Sequence, residues 1–190
     1  ALLGTYPDLL LEELSPFVQE GDLKLIQQPL DFFGLNHYTT MRARSAPDTA
    51  LRVEILQPPS EIPQTIKGWE INPEMLYQQL LELKNRYGNL PVYITESGCA
   101  APDELDSEGQ VSDPQRVAYF RDYLRAAARA IEDGVNLKGY FAWSLMDNFE
   151  WAEGYTQRFG IVYVDFPTQK RIPKDSFYAL KNIFQHNKVD

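Results

Sequence analysis

Cysteine is almost missing from this chain of 190 residues: Cys99 stands alone, so no disulfide can form within the chain, and a reducing, cytoplasmic setting is the expectation. Histidine is nearly as scarce. His37 and His186 stand at no metal-binding spacing, and neither a metal nor a cofactor is expected. Basic residues are too few to grip a polyanion: 18 Lys and Arg face 27 Asp and Glu, a net charge of −9, which argues against nucleic acid or an anionic membrane surface as partner. No apolar run approaches the roughly 18 residues of a bilayer-spanning helix, and no basic stretch followed by an apolar one opens the chain. Also missing are a short internal repeat, a low-complexity tract and a glycine-rich phosphate cradle.

What is plentiful is core material. Hydrophobic residues make up 44% of the chain and aromatics 13%, enough for a sizeable core in a soluble unit of single-domain size. "GTYPDLLLEEL" predicts a short helix near residues 7–14. "LDFFGLNHYTT" (Leu30 to Thr40) predicts a buried strand with polar groups at its end. Residues 41–68 hold four prolines and little periodicity, which predicts a long excursion with one extended piece around Leu51 to Leu56. Loops of that length are commonly functional.

Beyond this the pattern sharpens. Asn72 as N-cap, Pro73 at the first helical position, Leu76, Leu80, Leu83 and Tyr87 on one face and Gly88 at the end predict a core-facing helix. The strand "PVYITES" follows, then an acidic loop (Ala100 to Ser112). Asp113-Pro114 opens a second helix, with Val117, Phe120, Leu124, Ala128 and Ile131 expected on its buried side and Gly134 closing it. "LKGYFAWSL" (Leu137 to Leu145) predicts a third strand, and "KDSFYALKNIF" a terminal helix with Phe177, Leu180 and Phe184 inward. Strands alternating with helices predict a parallel α/β sheet whose functional residues sit at the strands' C-terminal ends. Glu96 lies at such an end, either as a nucleophile or as one more acid on an acidic surface. Three strands cannot close a barrel, which takes eight in about 250 residues. The pattern alone fits a small open sheet or part of something larger.

The segment "GYFAWSLMDNFEWAEGYTQRFGIVYVDF" (Gly139 to Phe166) resembles glycoside hydrolase family 1, the β-glucosidase and β-galactosidase family, almost position for position. "GTYP", "DFFGLNHYTT", "GWEINPEML", "YITESG" and "RIPKDSFYALKNIF" follow in the family's order and carry the resemblance over essentially the whole chain. It implies that residues 1–190 are the C-terminal portion, about strands six to eight, of a single (β/α)8 barrel. It implies a retaining β-glucosidase, with Glu96 in Ile94-Thr95-Glu96-Ser97-Gly98 as the nucleophile; Ser97 stands where the family usually has Asn. The family's acid/base lies in an Asn-Glu-Pro motif, and this chain contains none.

The resemblance also implies the rest of the pocket. Tyr38 would donate its hydroxyl to Glu96, and Asn36 would point into the same pocket. Glu150 and Trp151 would bind the glycone, Glu150 through the distal hydroxyls and Trp151 through its N–H and flat ring. Trp143 would floor the cleavage point, Phe159 would stand near the glycone, and Trp69 toward the aglycone entrance. For these aromatics, packing in the core is the alternative. Phosphoglycosidases of the family usually carry Ser where Glu150 stands, so an unphosphorylated β-glucoside is the expected substrate. A complementary N-terminal barrel portion or a homo-oligomer is the expected partner, and Cys99 a bystander. The rival expectation is a non-catalytic half-barrel or sugar-binding module.

Overall fold

The computed structural model describes residues 2–49 and 51–189. Two short helices, α1 (Asp8–Leu14) and α2 (Asp22–Ile26), lead into β1 (Phe33–Asn36). The excursion that follows folds on itself as an antiparallel hairpin of β2 (Arg42–Ser45) and β3 (Val53–Leu56). Then come α3 (Pro73–Tyr87), β4 (Val92–Ser97), α4 (Pro114–Glu132) and β5 (Leu137–Ala142). A second hairpin, β6 (Val162–Asp165) with β7 (Lys170–Pro173), precedes the last helix, α5 (Asp175–His186).

Strands β1, β4 and β5 form one parallel sheet in the order β1-β4-β5. One face is buried under the helices: Leu76 and Leu80 from α3, Tyr119, Phe120, Tyr123 and Ala127 from α4, and Leu180 from α5 cluster with Leu35, Val92 and Ile94. The opposite face carries Tyr93, packed edge-on against Phe32, and Thr95, the side chain against which Gly34 abuts. Phe32 and Phe141 there are 51% and 57% exposed.

The predicted units are all present, with shifts that have physical causes. Helix α3 begins at Pro73, but the Asn72 side chain does not cap it; it donates to Glu70 Oε1 at 2.8 Å instead. The buried line of α4 is rotated from the one its aliphatic residues mark: Ile131 is 51% exposed, while Arg116, Tyr119 and Tyr123 are buried. Arg116 and Tyr119 donate to loop carbonyls and carboxylates and the Tyr123 hydroxyl accepts from the Asn72 N–H, needs that hydrophobic periodicity does not register. On α5, Phe184 is exposed and Leu180 buried. Strands β1 and β5 stop short of Tyr38 and Trp143, which stand in the loops just past their ends.

Candidate active site

The C-terminal ends of β1, β4 and β5 converge, and their pairing becomes irregular there: register shifts fall between Leu35 and Asn36 and between Ile94 and Ser97. Such irregularities re-aim side chains out of strict alternation. Ser97 turns into the helix side, 0% exposed, while Glu96 meets Tyr38, whose hydroxyl donates to Glu96 Oε2 at 2.5 Å. Burial raises the Tyr38 pKa well above the ordinary value, and Glu96, as acceptor and as negative charge, and then Glu150 push the same way. Tyr38 therefore remains a neutral donor at any working pH. Asn36 lies opposite Glu96 in the strand pairing and accepts from Thr95 Oγ1 at 2.7 Å.

Aromatic rings fix Tyr38. Its ring meets Trp69 edge-on at 5.7 Å between centroids and Phe159 at 6.1 Å. Phe159 is 2% exposed, so its ring supports Tyr38 and is not an open sugar-facing surface. Trp69 is held by its neighbour: Glu70, 1% exposed, takes Arg42 through Nε at 2.7 Å and through the guanidinium's far arm at 2.9 Å. Arg42 first, then Asn72, holds the Glu70 carboxyl below the usual range against its burial. Lys67 Nζ lies 4.8 Å above the Trp69 ring and 3.8 Å from Glu153, linking the loop before α3 to the loop after β5.

The loop after β5 carries the other predicted residues. Trp143 N donates to Ser97 O at 2.9 Å, and the Trp143–Ser144 peptide is cis. Gly98 must lack a side chain, because a Cβ there would run into the Trp143 carbonyl oxygen. Glu150 opens a tight turn closed by its N–H on Gly154 O at 2.6 Å, and Trp151, with φ of 48°, leaves its ring 81% exposed. Among the residues predicted for the site, Glu96, Tyr38, Trp69 and Phe159 are in one contiguous contact group; Asn36 and Trp143 join it through Thr95 and Ser97, and Glu150 is near enough to act on Tyr38 electrostatically.

Behind the strand ends lies a buried set of charges that sequence reasoning missed. Arg116 binds Asp103 at 3.0 and 2.8 Å and also pairs with Asp113. Lys174 Nζ reaches Asp103 at 2.5 Å, Asp147 at 2.8 Å and Gly160 O at 2.5 Å, and Arg158 binds Asp147 at 2.5 Å. Except for Arg158 these side chains are 0% exposed. Burial and the Arg116 charge draw the Lys174 pKa down while Asp147 and Asp103 oppose them. The set ties the loop after β4 to the loop after β5. The signal for it was an Asp-x-x-Arg pair at the start of α4, one turn apart, with Arg on the core side. Cys99 is equally buried, and burial pushes its thiol up to about 12, so it presents no thiolate. His37 is turned into the core, its Nδ1 2.7 Å from Gln79 Oε1. Among the described residues no group of three or more His, Cys, Asp or Glu could hold a metal, and no helix is long and apolar enough to cross a membrane.

A carboxylate at a parallel strand's end, touched by a tyrosine hydroxyl and flanked by aromatic rings and a second acid, suits attack on an electrophilic carbon beside a polyhydroxylated ligand. The family model of Glycosyl hydrolase family 1 matches residues 1–189. The chain belongs to that family. A 1,4-beta-D-glucan glucohydrolase of Thermotoga neapolitana is 48% identical over 187 residues, 97% of this chain and 42% of the relative. A bifunctional beta-D-glucosidase/beta-D-fucosidase of Bifidobacterium breve is 44% identical over 199 aligned residues, 93% of this chain and 43% of the relative. The solved beta-glucosidase of Thermotoga maritima in complex with deoxynojirimycin superposes with a TM-score of 0.91 at 45% identity, over 100% of this chain and 43% of that one. The chain thus spans less than half the length of these family 1 relatives, and its three βα units are part of a (β/α)8 barrel.

Proposed function

We propose that this chain supplies the nucleophile strand and most of the glycone pocket of a retaining β-glucosidase, with Glu96 attacking the anomeric carbon of an unphosphorylated β-D-glucoside. The observation that carries the reading is the Tyr38 hydroxyl at 2.5 Å from Glu96 Oε2. In this reading Tyr38 favours the ionised carboxylate before attack, and its hydrogen bond is released as the glycosyl-enzyme ester forms. Glu150 and Trp151 bind the sugar's distal hydroxyls, Asn36 contributes a polar contact, Trp143 floors the cleavage point and Trp69 lines the aglycone side. In this reading the Glu150 carboxylate would repel a sugar phosphate.

Retention needs a second carboxylate about 5 to 5.5 Å from the first to protonate the leaving oxygen. In this reading that acid comes from a complementary N-terminal barrel portion that covers the exposed sheet face around Phe32 and Phe141; without it the chain self-associates through the same face. The cytoplasm is the proposed setting, consistent with a single buried, unpaired thiol. A second reading, a non-catalytic half-barrel that binds sugar, is favoured by the lack of an Asn-Glu-Pro segment. Hydrolysis of a 4-nitrophenyl β-glucoside by the chain joined with the complementary portion decides between them. Activity lost in Glu96→Gln is the expected result, and equal activity in both proteins overturns the proposal. An aryl β-fucoside in the same assay tests the glycone preference.

A further inference from the structure

The side chain of Ser97, next to the proposed nucleophile, points away from the pocket and into the helix layer. Its Oγ lies 3.2 Å from the Tyr119 hydroxyl, and the same hydroxyl lies 3.2 Å from the backbone carbonyl oxygen of Tyr38. A carbonyl can only accept, and Tyr119 has one proton. The Tyr119 O–H therefore donates to Tyr38 O, which leaves Ser97 Oγ–H to donate to Tyr119. One buried hydroxyl thus joins the residue after Glu96 to the backbone of the residue that hydrogen-bonds Glu96.

We infer that Tyr119 is a positioning residue that sets the Tyr38–Glu96 geometry from behind the strand ends, with Ser97 as its second anchor. The inference rests on the reading of Glu96 as nucleophile. Tyr119 is suited to the task because it cannot swing: it is 1% exposed, stacked on Tyr123 at 4.0 Å and 15° and edge-on to Phe120 at 5.8 Å. Burial also raises its pKa well above the ordinary value, so the donor is never lost by ionisation. One turn earlier on the same helix, Arg116 Nε donates to the Cys99 carbonyl at 3.3 Å and its guanidinium to the Arg158 carbonyl, beside Phe159, at 2.9 Å. Helix α4 therefore grips the chain on the C-terminal side of Glu96, the backbone of Tyr38 and the segment whose Phe159 ring backs Tyr38. The hydroxyl at residue 97 gains a purpose in this arrangement: it is the donor that turns the Tyr119 proton toward Tyr38.

The test uses the assembled protein and 2,4-dinitrophenyl 2-deoxy-2-fluoro-β-glucoside, which traps the glycosyl-enzyme. Wild type, Tyr119→Phe, Ser97→Ala and the double variant are compared for the final amount of label, the trapping rate constant per labelled site, and kcat and KM on an aryl glucoside. The expected result is that Tyr119→Phe reaches full label about tenfold more slowly, with kcat reduced and KM unchanged, since a small misplacement of the attacking group slows chemistry more than binding. Ser97→Ala slows trapping less, and the double variant is no slower than Tyr119→Phe. A trapping rate constant per site equal to wild type in Tyr119→Phe overturns the inference, because a structural role lowers only the amount of label. Multiplicative losses in the double variant overturn it too. Should Tyr119→Phe fail to fold, an unslowed Ser97→Ala overturns it alone. An unlabelled wild type overturns the nucleophile reading and this inference together; a labelled wild type with an unslowed Tyr119→Phe overturns this inference only.

Discussion

The two faces of the parallel sheet differ in kind. On the helix side Leu35, Val92 and Ile94 are buried beneath residues of α3, α4 and α5, and even the charges behind the strand ends are paired. On the other side Phe32 and Phe141 stand half or more in solvent. One face is finished by this chain; the other has apolar side chains without cover among the described residues. Glu96 sits where the two meet, and its geometry is built from the finished side. The difference teaches that three βα units can complete one face of the sheet and the contacts around Glu96 while the other face stays open among the described residues.

Breaking the finished side has the largest expected effect. Asp147 takes Lys174, Arg158 and the N–H groups of Gly160 and Val164; Asp147→Ala removes one of the two carboxylates on buried Lys174 and the acceptor of Arg158 and two N–H groups, and should cost about 3–5 kcal/mol, read as a drop in the urea midpoint. Phe141→Ala sharpens the comparison. In the chain alone, diluted until it is monomeric, the change should stay within about 0.5 kcal/mol, whereas in the assembled barrel loss of the ring should cost about 3 kcal/mol or more, so the gap between the two urea titrations measures how much cover the open face acquires. Next comes Tyr38→Phe, which removes a hydrogen bond to a charged acceptor: about 1.5–3 kcal/mol, or roughly 10- to 100-fold in kcat/KM, with little change in melting temperature. The smallest effect concerns His37. Burial lowers its pKa despite Gln79, so the unfolded chain takes up the proton first; the stability it contributes is present above about pH 6.5 and is lost as pH falls through the folded value. Melting temperature should decline below about pH 6.5, and less steeply in His37→Gln.

These two faces also mark what was readable from sequence. The βα order, Glu96 at a strand end and the helices at 73 and 114 followed from apolar spacing and Pro positions, which report burial directly. In the two hairpins β2 and β7 are short and largely polar, so alternation gave them little signal, although the piece around β3 was readable as extended. Tyr38 and Glu150 emerged only from the family resemblance, because a tyrosine in "NHY" or an acid in "NFEW" has no periodic context. The rotated face of α4 was hidden because Tyr119 and Tyr123 bury polar atoms against residues distant in sequence, which no local pattern encodes; Arg116 alone had a local mark, Asp113 one turn before it. The same blindness hid Lys174, whose neighbours Asp103 and Asp147 lie far from it along the chain.

The central claim is that Glu96 is the attacking carboxylate. Its most direct test is peptide mapping of the assembled protein after reaction with 2,4-dinitrophenyl 2-deoxy-2-fluoro-β-glucoside. The account predicts one fluoroglucosyl group per chain, on Glu96 of the "VYITESG" peptide. An adduct on any other carboxylate, or rapid hydrolysis of aryl β-glucosides with Glu96 unmodified and replaceable by Gln, would contradict it.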